Sequence, residues 1–234
     1  VALEHGVGRE DQDRWALTSQ QRHAEATARG YFSDEVIPVV TPEGPFSQDE
    51  HPRPDTTLEA LARLPTVRNS PTVTAGNAPG LNDGAVAMVV VDRTSAWTGD
   101  RAPLARVAAY LQTAESPISS AYLPGLAIRR LLEEQELKPE NLDVIEINEA
   151  YAATPLVSIR RLADNDLSLE EKLLQRTNMN GGAVAMGHPV GASGARLVLT
   201  AARQLREVGG RWAAVAICGG FGQTDALLLE SVDA

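Results

Sequence analysis

Residues 180 to 196 read NGGAVAMGHPVGASGAR, a glycine-rich passage that opens a helical pattern and contains one histidine, His188. Glycines allow a backbone to approach a ligand closely. The passage is not a phosphate loop, because it lacks Gly-Lys-Ser/Thr and does not show Gly-x-Gly-x-x-Gly after a strand. It also lacks the last glycine of a serine-hydrolase elbow, so Ser193 is interpreted as a small residue at a helix start. His188 lies in a turn, where an imidazole suited to proton transfer near neutrality can meet a ligand.

A second motif places polar side chains where an apolar strand gives way to a helix. It reads INEAYA at residues 147 to 152 and brings Asn148 to the junction. Reactive groups of α/β proteins collect at such strand ends. Asn148 is also a good residue for capping a helix, and this motif alone favours the capping interpretation.

A third motif, ICGGFGQ at residues 217 to 223, runs an apolar strand into a glycine turn. Cys218 stands at the junction and is the only cysteine of the chain. A lone cysteine is usually a small buried hydrophobic residue. The glycines that follow favour a chemical role, because they let backbone N–H groups face a ligand and stabilise a developing oxyanion.

Strand and helix patterns alternate along the chain, which predicts the α/β class. Helical spacing predicts a helix from Arg9 to Arg29, with Gly30 as its stop. The apolar run Ala85–Val91 follows a turn-rich segment and predicts a buried strand. The other predicted strands are 35–40, 107–113, 142–147, 213–217 and 226–230, and the other predicted helices are 58–64, 124–135, 149–162 and 192–208.

Composition excludes several classes of protein. The formal charge is -10, from 21 basic and 31 acidic residues, which opposes binding to nucleic acid or to an anionic membrane. No apolar run approaches the roughly 20 residues that cross a bilayer, and the first residues do not read as a signal peptide, so we expect a cytoplasmic protein. One cysteine allows no internal disulfide and no cysteine cluster for a metal.

Together and in this order, these motifs resemble those of the thiolase family. The family patterns are Asn-Glu-Ala-Phe-Ala, then the glycine-rich passage around His188, then Cys-x-Gly-x-Gly. Two earlier segments, REDQD at 9–13 and TAGNAPGLNDGA at 74–85, also look like thiolase segments. The similarity therefore extends over essentially all 234 residues.

The resemblance implies the thiolase fold, two similar α/β halves packed as five αβαβα layers with a loop domain inserted in the first half. Only its C-terminal portion is expected here. Residues 1–73 would be the remainder of the loop domain, 74–101 the last strand and helix of the N-terminal half, and 102–234 the C-terminal domain. The family's acylated cysteine would then lie in a missing N-terminal half. The chain also begins with valine rather than methionine. Processing, a separately encoded subunit and a fragment all remain open as explanations.

The resemblance also implies an activity, that of an acyl-CoA C-acyltransferase which condenses acyl-CoA units or cleaves a 3-ketoacyl-CoA. His188 would activate the absent nucleophilic cysteine, and Cys218 would move the α-proton of acetyl-CoA. Asn148 would hold a water that binds the thioester oxygen together with His188. Gly220 would donate its N–H to an oxyanion. No metal and no permanently bound cofactor is implied, and coenzyme A enters as substrate.

The chain departs from the family pattern where the loop Ala78-Pro79-Gly80 would hold the pantetheine of coenzyme A. Pro79 replaces the usual serine. Tyr151 and Phe221 are further departures that would reshape the acyl pocket.

We therefore expect a part of an enzyme, inactive alone, that assembles as a dimer or tetramer with a second chain carrying the N-terminal half. Two alternatives are a thiolase-like protein that binds acyl-CoA without turnover and a purely structural subunit. The unaltered reactive positions would have no use in the structural subunit.

Overall fold

The structure is a computed structural model that describes residues 1–67, 69–92 and 102–232. Its α-helices are α1 (Arg9–Ala28), α2 (Leu58–Ala62), α3 (Leu123–Glu134), α4 (Ala153–Leu162), α5 (Leu167–Gln175), α6 (Ala183–Met186) and α7 (Ser193–Glu207). Its strands are β1 (Val39–Thr41), β2 (Gly44–Phe46), β3 (Arg106–Ala114), β4 (Val144–Ile147), β5 (Trp212–Cys218) and β6 (Gln223–Glu230). Short 3₁₀ helices occupy Leu3–His5, Pro117–Ala121 and Pro139–Asn141.

The main sheet has four strands in the order β3-β6-β5-β4. β4 and β5 are parallel, with Ile147 opposite Ala216, whereas β6 is antiparallel to both β5 and β3. Strands β3, β4 and β5 therefore end at the same edge of the sheet. Polar groups that follow these strands are brought together at that carboxyl edge.

Each face of the sheet is covered by helices, because successive side chains of a strand point to opposite faces. Ile145 and Ile147 of β4 pack with α3, α4 and α5 on one face. Val144 packs on the other face against Leu197, Ala201 and Leu205 of α7. These residues form a helix–sheet–helix sandwich and confirm the predicted α/β class.

Helix α1 packs on this sandwich through a small apolar cluster and through hydrogen bonds to the buried carboxylate of Glu149. Trp15 and Ala16 pack with Leu61 of α2 and with Ala152 and Val184. Helix α1 ends where the sequence predicts, and Gly30 follows with φ +76°, a conformation that L side chains rarely adopt.

Most predicted elements of residues 107–230 are confirmed within a few residues, whereas several others differ. Helix α4 begins at Ala153 rather than at Glu149. Only Val39 and Val40 of the predicted strand 35–40 lie in a strand, β1, which pairs with β2 in a hairpin that the sequence did not indicate. Two helices, α5 and α6, were not predicted from the sequence.

The prediction of a buried strand at Ala85–Val91 is wrong for this chain. The structure assigns no strand there, and Val89 and Val90 are 78% and 76% exposed. A strand needs neighbouring strands as hydrogen-bond partners for its backbone. None of the paired strands among the described residues includes or adjoins this run. Residues 93–101, which complete the predicted strand–helix unit 74–101, lie outside the described residues.

Candidate active site

His188 and Asn148 meet at the carboxyl edge of the sheet although 40 positions separate them in the sequence. Asn148 Nδ2 lies 3.4 Å from His188 Nε2. The backbone N–H of Asn148 donates to the carbonyl of Ala216 at 3.0 Å, which fixes Asn148 beside β5. Asn148 does not cap helix α4, whose first residue is Ala153 and whose N-cap position is Ala152. The capping interpretation is therefore wrong.

The other nitrogen of His188 is held by Ser193, the first residue of α7. Ser193 Oγ lies 2.6 Å from His188 Nδ1, and the same hydroxyl donates to the carbonyl of Pro189 at 3.0 Å. A hydroxyl has one hydrogen to donate, so Ser193 must accept the hydrogen bond from Nδ1–H. This arrangement leaves Nε2 unprotonated, with its lone pair directed towards Asn148.

The pKa of His188 lies below its usual value of 6.5, first because the ring is buried and second because of the positive charge of Arg196. Burial disfavours the charged imidazolium, and a nearby cation acts in the same direction. His188 is therefore neutral at pH 7, with Nε2 able to accept a proton.

Cys218 ends β5, two residues beyond the carbonyl that accepts from Asn148. Burial raises the pKa of the Cys218 thiol, and hydrogen bonds from the backbone N–H groups of Gly220 and of Cys218 itself oppose this shift. Gly220 has φ +87°. A backbone N–H that stabilises a thiolate can also stabilise a negatively charged oxygen of a substrate.

The glycine turn after Cys218 is hydrogen-bonded to the segment that follows β3, the edge strand opposite β4. Gly222 N–H donates to Ser120 Oγ at 3.0 Å, and its carbonyl accepts from Glu115 N–H at 2.7 Å. A Cβ on Gly222 would come within 2.4 Å of the Glu115 carbonyl oxygen, so this position requires glycine. Phe221 points outward and is 80% exposed.

The loop Ala78-Pro79-Gly80 lies beside His188. The N–H of His188 donates to the carbonyl of Gly80 at 3.0 Å, and Leu81 forms an isolated parallel bridge with His188. Asn77 anchors the start of the loop, because its Nδ2 donates to Asp13 at 2.9 Å and its Oδ1 accepts from Thr74 N–H at 2.8 Å. The predicted coenzyme A loop and the predicted catalytic histidine are thus neighbours.

A second histidine, which sequence reasoning missed, packs on this loop. His51 Nε2 lies 3.4 Å from the N–H of Gly80, and a Cβ on Gly80 would come within 2.6 Å of the His51 ring. His51 comes from the proline-rich segment that the sequence predicts as irregular chain, and nothing in its own neighbourhood marks it. Burial lowers its pKa, so it is a neutral side chain at pH 7.

Glu149 is the second functional-site residue that the sequence did not single out. Its buried carboxylate accepts four hydrogen bonds, each between 2.9 and 3.0 Å, from Trp15 Nε1, Ser19 Oγ, Asn178 Nδ2 and Val184 N–H. These donors belong to α1, to the segment after α5 and to α6. Glu149 therefore joins three parts of the chain directly beside Asn148.

Among the described residues, no group of three or more histidine, cysteine, aspartate or glutamate side chains is arranged to hold a metal ion. No helix within the described ranges is long and apolar enough to cross a membrane.

Fold and site together define an α/β protein that gathers a histidine, an asparagine and a cysteine at one edge of its sheet. The family model "Thiolase, N-terminal domain" matches residues 1–94, and "Thiolase, C-terminal domain" matches residues 101–231. The chain therefore belongs to the thiolase family. Residues of both thiolase domains are present, so the expectation of a C-terminal portion only is too narrow.

Known proteins agree with this assignment. The chain is 44% identical to a beta-ketoadipyl-CoA thiolase of Acinetobacter baylyi over 240 residues, which covers 99% of this chain and 58% of that protein. It superposes on the crystal structure of human mitochondrial 3-ketoacyl-CoA thiolase in complex with CoA with a TM-score of 0.86 at 37% identity, covering 99% of this chain and 57% of that one. The TM-score with Bacillus anthracis acetyl-CoA acetyltransferase is 0.89 at 36% identity, with 98% and 57% covered. The chain thus has the thiolase fold and spans less than two thirds of the length of these relatives.

Proposed function

We propose that the chain supplies part of the active site of an acyl-CoA C-acyltransferase of the thiolase type. The observation that carries the proposal is the approach of Asn148 Nδ2 to His188 Nε2 at 3.4 Å, beside the strand that ends in Cys218. An unprotonated imidazole nitrogen, an amide donor and a thiol at one sheet edge fit proton transfer next to a thioester carbonyl.

In the first half-reaction a thiol attacks the acyl-CoA thioester, and His188 Nε2 takes the proton of that thiol. His188 then returns this proton to the sulfur of coenzyme A, which leaves as the thiol, and an acyl-enzyme remains. Between these two transfers Nε2 carries the proton, and its N–H can hydrogen-bond the thioester oxygen together with a water held by Asn148. Gly220 N–H serves the oxyanion of the tetrahedral intermediate. The order of these events explains how one nitrogen acts first as acceptor and then as donor.

Cys218 performs the second half-reaction in this proposal. Its thiolate removes an α-proton from acetyl-CoA, and the resulting carbanion attacks the acyl-enzyme, forming a carbon–carbon bond. The first sulfur leaves as a thiolate and regains a proton from the Cys218 thiol. In the direction of thiolysis, the Cys218 thiol returns that proton to the departing acetyl unit. Burial raises the pKa of the Cys218 thiol, and the N–H groups that bond its sulfur act in the opposite direction, towards the thiolate that removal of an α-proton requires.

The loop at residues 78–80 would hold the pantetheine arm of coenzyme A. Its support is the hydrogen bond between His188 N–H and the Gly80 carbonyl, which places the loop at the reacting centre. Pro79 offers neither a hydroxyl nor an N–H, so contacts there are to be made by backbone carbonyls and by apolar surface. His51, which packs on Gly80, is the polar side chain nearest to this loop that could assist.

The nucleophilic thiol comes from polypeptide outside these 234 residues, because Cys218 is the only cysteine. We propose that the chain alone is inactive and that a further segment or a second chain completes the N-terminal domain. Residues 1–73 and 74–101 would then be the loop-domain remainder and the last unit of that domain, with 102–234 as the C-terminal domain. The exposed apolar run at residues 85–91 supports this, because such surface is normally covered by a partner.

A buried glutamine gives independent support for a missing covering element. Gln12 is fully buried, yet neither atom of its amide has a hydrogen-bond partner among the described residues. It lines a cavity of about 220 Å³ together with Thr72, Ala121 and Thr154. An amide that is buried without a partner costs roughly 1–3 kcal/mol, which a polar group of the completed domain would offset.

The proposed substrate is a class of compounds, acyl-CoA or 3-ketoacyl-CoA thioesters. An acidic 3-ketoacyl chain is one member of this class, because several relatives are beta-ketoadipyl-CoA thiolases. Assembly into a dimer or tetramer and a cytoplasmic location stay predictions, and one of the similar structures is mitochondrial.

Intact mass spectrometry, native and denaturing, tests the proposal. The samples are the 234-residue chain alone and the chain with any polypeptide that co-purifies with it, each incubated with acetyl-CoA. We expect a second polypeptide, or a longer form of this one, to carry the acetyl group, while the 234-residue chain alone stays unmodified. Exchange of the α-protons of acetyl-CoA in D₂O, followed by NMR, then reports on Cys218 in the completed protein. Acetyl transfer to the first thiol should persist in Cys218→Ala, whereas α-proton exchange that persists in this variant would overturn the assigned role of Cys218. Tight binding of acetyl-CoA by the completed protein, with neither reaction, would favour the non-catalytic alternative.

A further inference from the structure

Strand β4 and helix α7 are joined by two neighbouring polar links. One link is Asn148···His188···Ser193, described above. The other is a contact between the Glu146 carboxyl group and the Arg196 guanidinium, whose Oε2 and Nη1 atoms lie 3.4 Å apart. Glu146 precedes Asn148 by two residues, and Arg196 follows Ser193 by three. Residues two apart on a strand and three apart on a helix share a face, so both links lie on the same side of the sheet.

We propose that the Glu146–Arg196 pair is a positioning device for His188, which fixes the first turn of α7 against β4 and brings a positive charge near the imidazole. The inference rests on the proposed role of His188 as a base and adds two residues to it. Neither residue touches the reacting atoms; both act through the elements that hold His188.

The pair is buried in a way that an ordinary surface ion pair is not. The side chain of Glu146 is fully buried and that of Arg196 is 16% exposed. Glu146 Oε1 has no hydrogen-bond partner among the described residues. Burial raises the pKa of Glu146 to about 8, although Arg196 acts in the opposite direction. The carboxyl group is therefore mostly neutral at pH 7, and it accepts from Arg196 without cancelling the arginine charge.

Other charged and titratable groups face the pair from the surrounding elements. Glu149 lies on the segment that follows β4, Arg22 and His23 lie on α1, and Tyr31 and Glu35 lie on the segment after α1. The guanidinium of Arg22 donates to the backbone carbonyls of Leu174 and Thr177. Burial lowers the pKa of His23, so this ring is neutral at pH 7. Arg196 is thus the charge that acts on His188.

A positive charge near the ring has a specific use. Burial of the ring is the first cause of the lowered pKa of His188, and the charge of Arg196 adds to it by disfavouring the imidazolium form. A neutral imidazole, with Nδ1–H bound to Ser193, keeps Nε2 available as a base at and below neutral pH. Without the charge, a larger share of His188 would be protonated before substrate binds.

The test is an NMR pH titration of the histidines in the 234-residue chain. The chain has only 4 histidines, and His188→Asn assigns the resonance of interest. Arg196→Gln and Arg196→Met remove the charge, Arg196→Lys retains it, and Arg203→Gln removes a partly buried arginine two turns further along α7. Urea unfolding of each variant confirms that it folds. Of the two charge-free variants, Arg196→Met keeps more of the apolar part of the arginine side chain.

We expect the charge-free variants to raise the pKa of His188 by about half a unit or more. Arg196→Lys and Arg203→Gln should leave it near the wild-type value. The inference is overturned if the charge-free variants leave the pKa unchanged, or if Arg203→Gln raises it equally. The titration needs no acyl transfer, so failure of the proposed activity and failure of this inference are separate results.

Discussion

Ser193 Oγ lies 2.6 Å from Nδ1 of His188, and its hydroxyl donates a hydrogen bond to the carbonyl of Pro189. This relationship determines the tautomer of the histidine. A neutral hydrogen bond of this kind contributes about 1 kcal/mol, so its removal should change the tautomer ratio about fivefold. We predict that Ser193→Ala moves His188 from the Nδ1–H form towards a mixture. Imidazole ¹⁵N shifts measure the ratio, and Ser168→Ala, at an exposed serine of α5, is the control. An unchanged ratio in Ser193→Ala contradicts the assignment.

Glu149 should be the most sensitive polar residue for stability. Three of the four groups that face its carboxylate can only donate, and each carboxylate oxygen faces at least one of them. The NH₂ group of a glutamine would therefore meet an N–H donor in either orientation. We predict that Glu149→Gln and Glu149→Ala both lower the free energy of unfolding by roughly 2 to 5 kcal/mol. Urea denaturation measures this, with Glu171→Gln, on the exposed side of α5, as the matched control. A Glu149→Gln variant as stable as that control would show that the four bonds are not required.

The pH dependence of stability should report on Glu146. Its pKa of about 8 lies well above the ordinary value of 4.5, so between these values the folded state binds more protons than the unfolded state. Its contribution to stability is fully present below pH 4.5 and is lost as the pH rises through 8. We predict that wild-type protein loses roughly 2 kcal/mol or more, relative to Glu146→Gln, between pH 5 and pH 8. Urea unfolding at both pH values tests this, and parallel profiles for the two proteins would contradict it.

Cys218 permits a direct measurement because it is the only thiol. Burial raises its pKa, so the thiolate fraction at neutral pH is smaller than in an unfolded chain. We predict that the pH profile of alkylation by iodoacetamide lies at higher pH for folded protein than for the same chain in urea. Rates must be normalised to their alkaline plateau, because burial also slows access. Coincident normalised profiles would show that the environment of Cys218 does not disfavour the thiolate.

Sequence periodicity located most strands and helices of residues 107–230, though not α5 and α6, because these elements bury their faces against one another within the chain. Ala85–Val91 has the same apolar character, but burial depends on partners that periodicity does not reveal. The pattern therefore predicted a strand that the described residues do not form.

Motifs singled out His188, Asn148 and Cys218, which lie at one edge of the sheet and stay candidates for catalysis, whereas the residues that contact His188 and surround Asn148 were missed. Ser193 read as a small helix-start residue, and its bond to His188 depends on how the turn between them folds. Glu149 stands next to Asn148, but its partners are 29 to 134 positions away. Such distant contacts leave no local pattern in a single sequence. The one available signal was a carboxylate directly after an apolar strand, where an unpaired charge would be costly.

The two glycines on either side of His188 offer the sharpest test of the loop. Gly187 has φ +91°, and a Cβ there would come within 2.1 Å of Asn82 Oδ1, whereas a Cβ on Gly191 would meet nothing within 4 Å. An alanine at position 187 must therefore adopt a strained backbone and displace Asn82, or move the peptide that leads into His188. We predict that Gly187→Ala lowers the free energy of unfolding by about 2 kcal/mol or more and broadens or shifts the His188 resonances. Gly191→Ala changes the same loop by the same methyl group and should leave both nearly unchanged. If the two variants behave alike, the close packing of residues 80–84 against the His188 turn does not hold in solution, and the proposed coenzyme A loop loses its place beside the base.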